Sequence, residues 1–126
     1  RKSIFNGKGM IHMYEIKAYV RKAMTEFVID ELAKLDGVAS IAVVSLNEFG
    51  HTAGDSGPME KVDMVKLEVD VASESAADTV ADAIVRAGRT QEGHPGDGKV
   101  LISRLAKAIR IDDGVSGPEA LRPRSV

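Results

Sequence analysis

The sequence predicts an α+β fold with the element order βαββαβ, and three observations predict it. Strict alternation of apolar and polar residues occurs at residues 14–20 and again at 62–71. Each alternating stretch is followed by one with helical spacing, residues 24–35 and 74–88. Each of these leads into a further apolar run, residues 38–46 and 99–103. With 126 residues, 44% hydrophobic and 29% charged, the chain has the length and composition of one domain with its own core.

Residues 1–12 are polar and glycine-containing, and the first residue is not methionine. They read as an N-terminal extension, native or added for expression, ahead of a domain over 13–126. In the first strand Tyr14, Ile16, Ala18 and Val20 share one face and Glu15, Lys17 and Tyr19 the other. Met24, Phe27, Val28, Leu32 and Leu35 then fall on one helical face, with Thr25 and Glu26 at its start and Asp36-Gly37 as its stop. Val38 to Leu46 is apolar on both faces, which predicts a strand covered on both sides, one by the domain's own helices and the other by a partner subunit.

From Asn47 to Lys61 periodicity disappears, and Gly50, Gly54, Gly57 and Pro58 mark a long loop. In the third strand Val65, Leu67, Val69 and Val71 oppose Met64, Lys66, Glu68 and Asp70, the charged members reading as a solvated, salt-bridged face. Ser73 or Ser75 caps the second helix, whose apolar face is Ala77, Val80, Ala81, Ile84 and Val85. Lys99 to Ser103 forms a fourth strand, Ala108 to Ile111 a short fifth, and Asp112-Asp113-Gly114 ends the pattern. This split βαβ repeat is the ferredoxin-like arrangement, a four-stranded antiparallel sheet with both helices on one side. Its open face is the expected subunit contact.

Composition narrows the function. A net charge of −2 excludes a basic nucleic-acid surface. There is no cysteine, no apolar run near the ~20 residues that span a bilayer and no signal-peptide pattern, which together fit a cytoplasmic protein without direct membrane insertion. His12, His51 and His94 lack metal-ligand spacing, so neither a metal nor any permanently bound cofactor is expected.

The stretch from Gly88 to Lys99 concentrates the chemistry. Gly88, Gly93, Gly96 and Gly98 permit a turn whose backbone N–H groups converge, and Lys99 adds a cation at its exit. That combination suits a phosphate. It is not a Walker A loop, because Val100 stands where a Ser or Thr should hold magnesium, so strong ATPase activity is not expected. His51, Asp55 and Ser56 share a loop with no rigid scaffold, which argues against a catalytic triad.

These residues also resemble a known family. Residues 14–21 (YEIKAYVR) look like the opening strand of PII signalling proteins. Thr90 with Gly96-Asp97-Gly98-Lys99-Val100 resembles that family's T-G-x-x-G-D-G-K-[IV] loop. Ala108-Ile109-Arg110-Ile111 is similar to its A-I-R-I-R segment, and Gly117-Pro118-Glu119-Ala120-Leu121 to its terminal G-E-x-A-L. The resemblance implies a homotrimer with ADP, AMP or ATP in the clefts between subunits. It implies nucleotide contacts from Thr90, Gly96, Asp97, Gly98 and Lys99, from Arg110 reaching across to a neighbour, and from Phe49-Gly50, which opens the family's T-loop. Residues 50–61 would then face a protein partner. Short-loop members linked to bicarbonate and carboxysomes imply a partner in inorganic carbon or nitrogen metabolism with bicarbonate as a candidate second ligand; those linked to metal efflux imply, as the alternative, control of a metal-efflux transporter, and a small ferredoxin-fold enzyme is the other alternative.

The departures are specific. The T-loop is short, its modifiable tyrosine is absent, and His51-Thr52 stands where the family's glutamine for magnesium-ATP and 2-oxoglutarate follows Phe-Gly. Met64 stands where a lysine is expected, Asp112 replaces the second C-terminal arginine, and His94-Pro95 lengthens the glycine loop. Sensing of 2-oxoglutarate and covalent control are therefore not expected, and the lost arginine predicts that ADP or AMP binds at least as well as ATP.

Overall fold

The computed structural model describes residues 12–51, 54 and 56–124. The extension read over residues 1–12 lies outside them except for His12, as do Thr52, Asp55 and residues 125–126. The described residues form β1 (Met13–Arg21), α1 (Thr25–Ala33), β2 (Ala42–Gly50), β3 (Glu60–Val71), α2 (Glu74–Gly88) and β4 (Gly98–Leu105). The sheet order is β2-β3-β1-β4, and every neighbouring pair is antiparallel. This is the α+β, ferredoxin-like arrangement.

The core lies between the sheet and the helices. Ile16 and Ala18 from β1, Leu67, Val69 and Val71 from β3, Val28 and Leu32 from α1 and Val80 and Ile84 from α2 are all buried. Each large member contributes roughly 1.5–3 kcal/mol by leaving water. The alternation of β1 and β3 places these residues on one face and leaves Lys17, Lys66 and Glu68 on the other. There Lys66 Nζ lies 3.5 Å from Glu68 and Lys17 Nζ 3.7 Å from Glu15, the salt-bridged face that alternation implies.

α2 begins at its cap: Ser73 Oγ accepts the Ala76 amide at 3.2 Å. Its buried face is Ala77, Val80, Ala83, Ile84 and Gly88. Relative to the face read from sequence the stripe is rotated, with Ala81 only partly buried and Val85 exposed. Gly88 explains the rotation. It seats against β1, where an added Cβ would lie 3.3 Å from Val20, and this close approach sets which way the last turn faces.

Three boundaries differ from the sequence reading. The second strand starts at Ala42 rather than Val38, because Val38 and Ile41 pack on the core from the connection after Gly37, whose φ is 87°. β2 is an edge strand, exposed on both faces within one protomer at Val43 and Val44. The long loop shrinks to residues 51–59, because Phe49 pairs with Lys61 and Gly50 with Glu60 to extend the β2–β3 hairpin. The fifth strand is reduced to one antiparallel bridge, Ile109 to Ser116, because the Arg110 carbonyl accepts the Gly114 amide and turns the chain back.

Candidate functional site

The glycine loop is built around one carboxylate. Asp97 Oδ1 accepts the Thr90 hydroxyl at 2.6 Å and Arg21 Nε at 2.9 Å. Its Oδ2 accepts the backbone amides of Thr90 at 3.0 Å and His94 at 2.9 Å. Burial alone would raise this carboxyl's pKa, but the Thr90 hydroxyl, the His94 amide, Arg21 and the Thr90 amide together hold it well below its ordinary value. Arg21 also donates to the Pro95 carbonyl at 2.9 Å, so the end of β1 fastens the loop at two points.

Local chemistry shapes the same loop. Pro95 and Gly96 occupy the centre of a turn closed by the Asp97 amide on the His94 carbonyl, with Gly96 at φ 93°. Gly98 is required for a separate reason. A Cβ there would fall 1.7 Å from the Tyr19 carbonyl oxygen, at a φ of 117°. β4 can start beside β1 only with glycine at this position.

The structure gathers Thr90, Gly96, Asp97, Gly98 and Lys99 at one end of the sheet, and Gly50 joins them there. A recess of about 200 Å³ opens between Tyr19, Val85, Gly88, Asp97 and Lys99. A second, of about 220 Å³, lies between the hairpin stem and the loop and is lined by Glu48, Gly50, His51, Gly96, Gly98 and Lys99. Lys99 stands in both, 5.1 Å from the Tyr19 ring centroid and 3.7 Å from Glu48. Phe49 is exposed and lines neither recess.

Arg110 is elsewhere. β4 leaves the sheet at Leu105, opposite Met13, whereas the glycine loop enters at Gly98, opposite Val20. Arg110 lines a third recess with Ser40, Arg122 and Arg124. Its guanidinium donates to Asp113 at 2.7 Å and to the Glu119 carbonyl at 3.0 Å. Asp112 pairs with Arg124 at 2.6 Å. One protomer therefore does not bring Arg110 to the glycine loop.

Two features of the site escaped the sequence reading. Asp97 organises the loop from within, and its amide closes the Pro95-Gly96 turn instead of pointing at a ligand. Arg21 was visible as a cation, but only its contact with Asp97, across 76 positions, shows its task. Met64, where a lysine was expected, is fully buried.

Residues 13–115 match the family model described as Nitrogen regulatory protein P-II. The chain belongs to this family. Among curated PII proteins it is 33% identical to the one from Bradyrhizobium diazoefficiens, over 86% of this chain and 100% of that one. The second P-II protein of Methanothermobacter thermautotrophicus is 32% identical, over 89% of this chain and all of its own length. Among solved structures, a Bacillus subtilis GlnK–ATP complex superposes with a TM-score of 0.74 at 31% identity, covering 87% of this chain and 96% of that one. Arabidopsis thaliana PII bound to citrate gives a TM-score of 0.73 at 25% identity, covering 90% and 94%. The chain is thus a member of a signal-transduction family of nitrogen regulators, and the relatives show that this fold holds a nucleotide in one case and a carboxylate anion in another. No helix among the described residues is long and apolar enough to cross a membrane.

Proposed function

We propose that this PII protein is a cytoplasmic, trimeric, non-enzymatic regulator that binds adenine nucleotide at the glycine loop and signals through residues 51–59. The observation that carries this reading is the internally satisfied Asp97 clamp. It pre-shapes the loop beside Lys99 and between two recesses, so a ligand need not order it on binding. Val85 and Val100 supply apolar walls to the first recess, suited to a base or ribose, and Lys99 supplies charge for phosphate.

In the trimer Arg110 approaches a neighbour's glycine loop. Asp113 holds its guanidinium in place, and Asp112 adds negative charge nearby. Both carboxylates weaken the cationic field on a triphosphate, so ADP or AMP binds at least as well as ATP. β2, exposed at Val43 and Val44, supports association of subunits. Residues 51–59, ending at the exposed Met59, face a protein partner in nitrogen or inorganic carbon metabolism. A small anion such as bicarbonate is the proposed second ligand.

The test is a thermal-shift screen of ADP, AMP and ATP crossed with bicarbonate, 2-oxoglutarate and divalent metals, with sedimentation to measure the assembly. A nucleotide must raise the melting temperature if it binds the folded state. A flat melting temperature across millimolar nucleotide would instead indicate a structural oligomerisation module.

A further inference from the structure

Glu48 stands where the hairpin stem meets the glycine loop. It belongs to β2, the strand farthest from β4 in the sheet. Even so, its carboxylate lies 3.7 Å from Lys99 Nζ, near the start of β4. The register explains this reach. β1 pairs with β3 only as far as Arg21 opposite Met64, whereas the β2–β3 hairpin continues through Glu48 opposite Val62 to Gly50 opposite Glu60. Past the end of β1, no strand separates the stem from the glycine loop, and both line one recess.

The pair remains wet, with the Lys99 side chain 55% and the Glu48 side chain 38% exposed. Exposed pairs of this kind contribute little to stability. Their weight falls on whatever enters the recess. An anion that takes Lys99 must either displace the Glu48 carboxylate or bind beside it. Among the described residues lining this recess, Lys99 is the only lysine or arginine, and Glu48 the only carboxylate.

We propose that Glu48 is a specificity-determining residue of the glycine-loop recess, a resident counter-anion of Lys99 that disfavours ligands in proportion to their phosphate charge. This rests on reading the recess as a phosphate site. Repulsion by a fixed carboxylate scales with the charge that approaches it, so the penalty rises from orthophosphate through pyrophosphate to tripolyphosphate. The same gradient sets ATP below ADP without any change in the contacts to base or ribose.

The test titrates the full chain and the variants Glu48→Gln and Glu48→Asp calorimetrically with pyrophosphate, tripolyphosphate, ADP and ATP, each at low and high salt. Glu48→Gln keeps the size and removes the charge. It is expected to tighten tripolyphosphate and ATP about tenfold and pyrophosphate and ADP about threefold, with both gains shrinking at high salt. Glu48→Asp keeps the unsubstituted protein's order of preference. If the unsubstituted protein binds these ligands and Glu48→Gln changes none of the affinities, or changes all equally, the role of Glu48 is overturned and the phosphate site stands. If neither protein binds any of the four, the phosphate reading falls and the proposal with it.

Discussion

Two arginine–aspartate clamps hold the two loops that matter most here, and they hold them differently. Arg21 and Asp97 come from positions 76 apart, and their side chains are 28% and 18% exposed. Arg110 and Asp113 are three positions apart in one turn. In both, the carboxyl sits well below its ordinary pKa. Burial opposes this at Asp97, where four donors outweigh it, whereas at Asp113 the Arg110 guanidinium and then the Val115 amide lead. The first clamp is a tertiary contact that shapes a recess. The second keeps a cation folded onto its own segment, away from its own glycine loop. The same pair of side chains thus builds a site in one place and withholds a charge in the other.

Glycine substitutions separate the two regions most strongly. Gly98→Ala drives a Cβ into the Tyr19 carbonyl, and it is expected to cost about 3 kcal/mol or more and to stop β4 from docking. Gly114→Ala, in the Arg110 turn, meets nothing within 4 Å and faces only its φ of 71°, a cost of about 1 kcal/mol. Denaturant unfolding of the two variants checks this. Equal losses would mean that the two loops are held alike.

Asp97→Ala comes next. It leaves the Thr90 and His94 amides and Arg21 without their acceptor, at a cost of about 2 kcal/mol. Asp113→Ala is expected to lower the melting temperature by much less, because the Asp113 carboxylate is itself 37% exposed and Arg110 keeps the Glu119 carbonyl as an acceptor. A thermal melt of each variant decides between them.

The pH dependence sharpens the contrast further. Asp97 and Asp113 have folded pKa values depressed below 3.8, so each contributes stability that is present above about pH 4 and is lost as pH falls through the folded value. Asp97→Asn and Asp113→Asn should therefore each flatten the acid limb of the stability profile. Asp70 has the opposite sign. Burial, then Glu15 and Glu68, raise its pKa, so its charged form works against the fold and stability falls as pH rises through its folded value. Asp70→Asn should raise the melting temperature at pH 7, with the gain shrinking toward pH 4. A profile of melting temperature against pH for the three variants reads all of this.

Much of this was legible in the sequence, for identifiable reasons. β1, β3 and α2 carry long, regular patterns, and Ser73 caps where its chemistry places it. β2 was shifted because Val38 and Ile41 are apolar for the sake of the core and not of a strand. The hairpin stem was hidden because Asn47, Glu48, Glu60 and Lys61 pair through backbone groups that leave no apolar pattern. In the site, Gly96 and Gly98 announced a tight turn, but the reason for Gly98 lies in the Tyr19 carbonyl, a partner distant in sequence. The contacts of Arg21 with Asp97 and of Glu48 with Lys99 join residues that only the folded sheet makes neighbours.

In the proposed function the Asp97-clamped loop is a nucleotide site in which diphosphate is at least as good a ligand as triphosphate. Calorimetric titration of the full chain and of Asp97→Ala with ADP and ATP tests it most directly. ADP is expected to bind at least as tightly as ATP, and Asp97→Ala to weaken both by about tenfold or more as the loop loses its shape. ATP binding tenfold tighter than ADP, or affinities indifferent to Asp97, would contradict it.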